Sequence, residues 1–476
     1  MIRKPRAKRP IRSQVIRKPG AKRPVLFGLA TDIARIARAA SRRFGRSGGT
    51  TAPGRLLLRV YPNALERMSG QLEDGSTLVS ATNGKTTTAA MIAAALERDG
   101  RTVIHNRAGS NMSWGVATAL LDAGHAPREL GLFEVDEAWL PRVARPLRPR
   151  LLLLSNLFRD QLDRYGELEL LADGWAELVA ELDGRAAFVL NADDPLVADL
   201  GRDRRGVTYF GVEDDSHALP GMQHAADSKH CRNCGAAYEY DAIYLGHLGR
   251  YRCPSCGRER PRPDVVASRV ELEGMSGSRV ELRTPRGELS LRLPLPGLYN
   301  VYNAVAAVAT ALQLGVTLEE LREALEGFGG AFGRVETIPM DGRRLSILLV
   351  KNPAGANEVL RTLTLEPGEL DLWLALNDRI ADGRDVSWIW DADFEVLAGR
   401  VRRATCSGTR AEEMALRLKY AGIDAELAVE RDLGRSLDAA VAGAAGESVY
   451  ALPTYTALLE LRDLLAKRGL ARRWSE

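Results

Sequence analysis

The sequence predicts an α/β protein. A parallel, doubly wound phosphate-loop unit carries an inserted four-cysteine ribbon, and a second α/β unit follows it. Three observations carry this reading. Strand-sized apolar runs alternate with helix-forming stretches from about residue 51 to residue 210, and again from about residue 334 to the end. Buried strands separated by helices build a parallel sheet. The stretch SATNGKTTTAAM, Ser80 to Met91, follows one apolar run and leads into an Ala-rich helix former, which is the strand–loop–helix setting of a phosphate cradle. Cys231, Cys234, Cys253 and Cys256 form two C-x2-C pairs eighteen residues apart, the spacing of a zinc ribbon.

Size and composition agree with this. A chain of 476 residues exceeds one core and suggests two to four domains, at roughly 100–200 residues each. A hydrophobic content of 45% with 27% charged residues is ordinary for a globular protein in water. No apolar run reaches the ~18 residues of a membrane span. The net charge of +4 is unevenly placed: the first 24 residues hold ten Lys or Arg and no acid, in the near-repeat IRKPRAKRP and IRKPGAKRP.

Residues 1–50 read as a basic disordered tail and an amphipathic helix. A Pro-rich basic segment buries too little apolar surface to fold, and no apolar core follows it as in a secretory signal. Its charge suits anionic lipid or nucleic acid. From Val25 to Arg46, Leu26, Leu29, Ile33, Ile36 and Ala40 recur at helical spacing, with Arg35, Arg38, Arg42 and Arg43 on other faces. That helix packs on the body or lies on a membrane surface.

Residues 51–330 form the central unit. TLVSATNGKTTTAAMIAAALERDG reads as strand, loop and helix, and TVIHN, ELGLFEVDEA, PRLLLLSNL and RAAFVLNADDP supply further strands. The ribbon insertion spans about 228–262, and residues 265–293 then alternate as a hairpin does. LPGLYNVYNAVAAVATALQLG returns to a helix, and GFGGAFG, Gly327 to Gly333, reads as a hinge. Residues 334–476 form a Rossmann-like C-terminal α/β domain from LSILLVKNP, DLWLALND, RATCSG and ESVYALPTYTALLELRDLLAKRG.

The loop chemistry follows from its residue types. In GxxxxGK[ST], glycines let backbone N–H groups approach phosphate. Here Gly84, Lys85 and Thr86 supply its end, while Val79 stands at the first glycine. Lys85 would meet the outer phosphates and Thr86 would hold Mg²⁺. Glu134, late in its strand, is a candidate second metal contact; Asp160 and Asp163 also follow a strand, where ligands bind in such folds, or are ordinary loop acids. Four thiolates from Cys231, Cys234, Cys253 and Cys256 would fill a tetrahedral Zn²⁺ shell, so that site is structural. A disulfide pair is the alternative, disfavoured in the cytosolic setting expected here. Cys406 stands alone and reads as a core thiol.

The segments ATNGKTTT, FEVDEA, NLFRDQLDRYGE, VLNADDP, LPGLYNVYNAVAA, FGRVE and VKNPAG run in this order from about Thr51 onward. With them the chain resembles the Mur ligase superfamily, with its central P-loop ATPase domain and C-terminal domain but without the N-terminal substrate domain. That loss, the ribbon, and the stretches LNDRIADGRDVSWIWDADFE and LPTYTALLELRDLL narrow the likeness to the MurT family.

The resemblance implies an ATP- and Mg²⁺-dependent ligase of peptidoglycan synthesis. It would amidate the α-carboxyl of D-glutamate in the lipid II stem peptide to D-isoglutamine. Ammonia would come from a GatD-type glutamine amidotransferase subunit bound as a heterodimer. The resemblance places Asn83, Gly84, Lys85, Thr86 and Thr87 on the ATP phosphates, and Asn191, Asp193 and Asp194 near the nucleotide. It puts Asn300 and Asn303 near adenine and Arg334 on the nucleotide from the linker. Asp385, with Asp382 as fallback, matches a catalytic aspartate at the glutaminase boundary. Lys351-Asn352-Pro353 replaces the His-Asn-Pro of many amino-acid-adding relatives, which fits ammonia as nucleophile. The competing expectations are another superfamily member such as folylpolyglutamate synthase, and a zinc-ribbon ATPase that binds nucleic acid.

Overall fold

The computed structural model describes residues 24–44, 51–106, 110–123, 130–160, 168–224, 226–329 and 335–471. The basic tail through residue 23, Asp163, most of the Gly327–Gly333 stretch and Arg334 lie outside the described residues.

Six parallel strands form the centre: β1 (Ser76–Ser80), β2 (Val103–His105), β3 (Leu130–Glu134), β4 (Leu151–Leu154), β5 (Ala187–Asn191) and β6 (Val207–Val212). They lie in the order β6-β5-β4-β1-β3-β2. Every residue of β1, β3 and β4 is buried, because helices cover both faces. Side chains alternate between two cores. Val79, Leu132, Leu153 and Val189 meet the helices Lys85–Arg98 and Leu298–Leu314. Leu78, Phe133, Leu152 and Leu190 face the other way, toward Val116, Val143 and Trp175.

After β6 the chain leaves the sheet and makes the two-stranded ribbon, β7 (Glu239–Leu245) and β8 (Leu248–Arg252). It returns as β9 (Val265–Leu272), parallel to β6, and the antiparallel β10 (Ser278–Thr284) and β11 (Gly287–Leu293) complete a nine-stranded sheet.

The second sheet has six strands: β12 (Val335–Met340), β13 (Arg343–Leu348), β14 (Leu370–Ala375), β15 (Val401–Ser407), β16 (Glu426–Val429) and β17 (Ser448–Pro453). Their order is β12-β13-β17-β14-β15-β16, parallel except for the edge strand β12. Asp341 and Gly342 join β12 to β13 with φ of 48° and 78°, the two positive values that a tight hairpin matching strand twist requires.

The helix Pro24–Phe44 forms as the apolar spacing predicts, but its packed face is a different one. Phe27, Ala30, Thr31 and Ala34 are buried, while Leu29, Ile33 and Ile36 are exposed.

Candidate functional site

The phosphate loop turns sharply between β1 and the helix Lys85–Arg98. Val79 is a core residue inside β1, so the loop begins later than the usual pattern and its tight point is Gly84. Gly84 has φ +87°, and a Cβ there would come within 2.0 Å of Asn303 Oδ1. Only glycine fits so close an approach. Asn303 accepts from Thr88 Oγ1 at 3.2 Å and donates to Asn300 Oδ1 at 3.1 Å. Asn300 in turn donates to Pro296 O at 2.8 Å. Residues three apart on the buried helix Leu298–Leu314 thus hold the loop from one side. Asn156 holds it from the other, accepting from Asn83 N at 2.9 Å and donating to Asn83 O at 3.0 Å.

Lys85 curls back over its own loop. Its ammonium donates to the carbonyls of Ala81 and Thr82 and to Glu137 Oε2, the last at 2.8 Å. Burial works against the charge on Lys85, yet Glu137, Asp136 and Asp160 outweigh it and raise its pKa above the ordinary value. Burial likewise opposes ionisation of Glu137, but Lys85 and then Lys351 bring its pKa below the usual range. The site therefore holds a charged pair at neutral pH.

Glu134 ends β3, in register with Val79 of β1, so its carboxylate and the loop share one edge of the sheet. Its backbone is clamped by Asn106, which accepts from Glu134 N at 3.0 Å and donates to Glu134 O at 2.9 Å. The side chain is buried, and Oε2 has no hydrogen-bond partner. An orphaned buried carboxylate oxygen is costly. Together with the hydroxyl of Thr86 at the same loop, it is the donor set that a hard cation such as Mg²⁺ takes, so these residues fit the metal.

The loop floors a cleft with about 870 Å³ of empty space, open mouth included. Asn83, Gly84 and Thr87 line the floor, Asn300 and Asn303 one wall. Phe158, Leu245, Leu248, Leu295 and Tyr299 supply apolar surface suited to a planar base. The far wall comes from the second sheet, through Leu349, Lys351 and the helix Pro353–Thr364.

Contacts across the cleft draw the two sheets together. Lys351 Nζ meets Asp160 Oδ2 at 2.5 Å and Thr82 O at 3.3 Å. Asn352 and Asn83 exchange two amide hydrogen bonds, 3.0 and 3.3 Å long. Arg361 donates to Tyr244 O, 2.8 Å away in the ribbon.

The remaining sequence-predicted residues fall elsewhere. Asn191, Asp193 and Asp194 are fully buried behind the cleft and do not line it. Asn191 Oδ1 accepts from Asp193 N at 3.0 Å. Asp194 caps the helix Pro195–Ala198 and accepts from Leu157 N at 2.9 Å. Asp193 accepts from Tyr302 OH at 2.6 Å and Val212 N at 2.9 Å, and pairs with Arg260 Nε at 2.6 Å. Burial raises its pKa, with Arg260 pulling the other way.

Asp385 is exposed and accepts from Ser387 N at 2.8 Å; the Ser387 side chain and then this N–H hold its carboxyl below the usual range. Asp382 is buried and accepts from Thr456 N at 2.7 Å and Thr456 Oγ1 at 2.5 Å; burial raises its pKa. Neither lines the cleft.

Glu137, Asn156, Phe158, Tyr302 and Glu358 are site residues that sequence reasoning missed. Glu137 sits inside the same FEVDEA motif as Glu134, Asn156 and Phe158 open NLFRDQLDRYGE, and Tyr302 lies within LPGLYNVYNAVAA, which are usable signals; Glu358 is defined by tertiary neighbours alone.

The Sγ atoms of Cys231, Cys234, Cys253 and Cys256 lie within 4.8 Å of one another, with Cys234–Cys253 at 3.4 Å and Cys231–Cys256 at 3.6 Å. A tetrahedral Zn²⁺ with bonds of ~2.3 Å sets sulfurs about 3.8 Å apart, so the cluster fits zinc. The ribbon tyrosines do not form a stacking platform: Tyr238, Tyr244 and Tyr251 are buried and Tyr240 is half-buried. Cys406 is buried in β15, and burial pushes its thiol up to about 12.

Comparison with known proteins agrees with the geometry. The Mur ligase middle domain matches residues 79–253, and the MurT ligase C-terminal domain matches residues 349–458. The chain is 32% identical over 437 residues to the Staphylococcus aureus (strain N315) lipid II isoglutaminyl synthase (glutamine-hydrolyzing) subunit MurT, covering 92% of this chain and 97% of that one. The Streptococcus pneumoniae subunit of the same name is 32% identical over 434 residues, covering 90% and 95%. Among solved structures, a pseudomurein peptide ligase type C from Methanothermus fervidus superposes with TM-score 0.67 at 23% identity, covering 83% of this chain and 79% of that one. Thermotoga maritima MurF in complex with ADP gives 0.60 at 15% identity, covering 87% and 85%. These structures establish the Mur ligase-like α/β fold.

Proposed function

The chain belongs to the MurT family of the Mur ligases, and from that premise we propose that it amidates the D-glutamate α-carboxyl of the lipid II stem peptide at the expense of ATP. A carboxylate resists ammonia because its leaving group is poor. Transfer of the γ-phosphoryl group to a carboxylate oxygen releases ADP and leaves an acyl phosphate, which splits one hard step into two easier ones. Ammonia then attacks the acyl carbon, loses a proton, and phosphate departs.

The residues divide this work. The loop at Asn83 and Gly84, with Thr87, receives the phosphates. Lys85 swings from Glu137 to the transferring group and balances its growing charge. Asn300, Asn303 and the apolar wall take the adenine. Thr86 and Glu134 would hold Mg²⁺, which supplies further charge neutralisation when bound. Lys351, brought by the second sheet, adds a positive charge beside Asp160 and replaces the histidine of amino-acid-adding relatives. Closure across Asn83–Asn352 excludes water that would hydrolyse the acyl phosphate. The ribbon is a structural Zn²⁺ site that shapes the cleft wall.

Nitrogen comes from outside the chain. Cys406 is buried with a raised pKa, the opposite of an activated nucleophile, so it is no glutaminase thiol. A GatD-type glutaminase subunit delivers neutral ammonia. Asp385, exposed on the C-terminal unit, is free to face that partner, whereas Asp382 is committed to Thr456. The heterodimer works in the cytoplasm at the membrane face, where the lipid-linked substrate resides.

The observation that carries this reading is the juxtaposition of the Lys85 loop, the orphaned Glu134 oxygen and a cleft walled by both sheets. Its test is amidation of lipid II by the chain with its glutaminase partner, ATP and glutamine, followed by mass spectrometry. Lys85→Ala is expected to abolish product; an unchanged rate would end the proposal.

A further inference from the structure

The helix Pro24–Phe44 is fastened to the body along one side only. Phe27, Ala30, Thr31 and Ala34 are buried. The Phe27 ring meets Tyr61 edge-on at 5.3 Å, and Arg67 lies over the same ring at 4.8 Å. Arg38 pairs with Asp122. At 3.6 residues per turn, the four buried residues span an arc of about 100°.

Leu29, Ile33 and Ile36 fall on an arc of about 60° on the opposite side, and they are 57%, 39% and 69% exposed. Single exposed apolar residues need no explanation. Three in line on a helix already anchored by its other face leave an apolar stripe open, the kind of surface that marks an interaction site.

The chain states the chemistry of the occupant. The 23 residues that lead into this helix hold ten Lys or Arg and no acid. An apolar stripe beside a basic segment is the arrangement that lies in the interface of an anionic bilayer. The aliphatic side chains enter the headgroup boundary, and each cation drawn to an anionic leaflet adds about fivefold in binding. A second copy would bring the same basic segment against its own kind and be repelled. Nucleic acid would answer the charge but leave the Leu and Ile side chains without a partner.

We propose that Leu29, Ile33 and Ile36 form a membrane-docking stripe that, with the basic segment before it, seats this protein on anionic lipid. The inference rests on the proposed action at a lipid-linked substrate and names the surface that brings the enzyme there.

The test is co-sedimentation of the full chain with vesicles of phosphatidylcholine containing phosphatidylglycerol, and with phosphatidylcholine alone. The full chain is expected to pellet with the anionic vesicles. The variant Leu29→Gln/Ile33→Gln/Ile36→Gln is expected to lose roughly tenfold or more in partitioning, with an unchanged thermal midpoint. Ile36→Gln alone, changing the most exposed of the three, is expected to lose about threefold and serves if the triple variant misfolds. Binding unaffected by these changes would overturn the proposal, as would failure of the full chain to bind anionic vesicles. So would concentration-dependent dimerisation that the triple variant abolishes. Amidation of a water-soluble stem peptide by the same variant, with the glutaminase partner present, is expected to stay at the full-chain rate. Loss of that activity in the full chain itself would count against the amidation reading and leave the vesicle result standing.

Discussion

Replacing Arg260 by Met removes the contact that ties the ribbon's exit to the nucleotide unit, together with the weaker contacts of the same guanidinium to Glu213 at 3.3 Å and Val212 O at 3.0 Å. Asp193 is fully buried, with Arg260 Nε at 2.6 Å, Tyr302 OH at 2.6 Å and Val212 N at 2.9 Å. Removing the guanidinium leaves a carboxylate with two neutral donors and no counter-charge. Breaking one side of such a buried pair costs about 3–5 kcal/mol. Asp193→Asn in the same chain removes the stranded charge, so the double variant should recover about half of the loss or more, since replacing both partners is far milder than removing one.

The pH dependence gives this loss a signature. Burial already raises the folded pKa of Asp193, with Arg260 opposing it. Without Arg260 the folded pKa rises further. A raised carboxylate pKa means that stability is fullest below the unfolded value and is lost as pH climbs through the folded one. The Arg260→Met deficit should therefore be smaller at pH 5 than at pH 8. Urea denaturation of both variants and wild type at the two pH values is the assay. A deficit under about 1 kcal/mol, the scale of an exposed pair, or one that shrinks as pH rises, would refute the reasoning.

Three further outcomes follow from the site. Gly84→Ala combines left-handed strain of about 1–2 kcal/mol with displacement of Asn303, so affinity for a non-hydrolysable ATP analogue should fall roughly tenfold or more by calorimetry; unchanged affinity would remove Gly84 from the phosphate site. Glu134→Gln should raise the Mg²⁺ concentration needed for half-maximal ADP formation by at least the roughly 10–100-fold that loss of an outer-shell partner costs, and a variant with the wild-type Mg²⁺ response would contradict the metal assignment. Elemental analysis should find one zinc per chain, lost in Cys253→Ser with a lower thermal midpoint, while a zinc-free wild type of full stability would exclude the structural metal.

The parallel centre was legible because Leu78 and Val79, Leu132 and Phe133, and Leu152 and Leu153 send alternate side chains into two cores, which demands uninterrupted apolar runs. The phosphate loop was legible because its need for Gly84 is local. The burial of Asp193 was not, since Arg260 and Tyr302 reach it from 67 and 109 residues away. The pattern VLNADDP marks those acids as notable without saying that they brace the fold behind the cleft. The N-terminal helix shows the limit of periodicity. Leu29, Ile33 and Ile36 form its larger apolar face, yet the body takes Ala30 and Ala34. Small side chains let the helix approach its neighbour closely, and the hydropathy pattern carries no account of which face a neighbour fits.

The central claim is that the substrate carboxylate is phosphorylated before nitrogen arrives. Its most direct test is amidation of a substrate whose D-glutamate α-carboxyl carries heavy oxygen, with the partner, ATP and glutamine present. One labelled oxygen should appear in each inorganic phosphate released, because the acyl carbon keeps one oxygen and surrenders the other. Phosphate without label, alongside full conversion to the amide, would contradict the account.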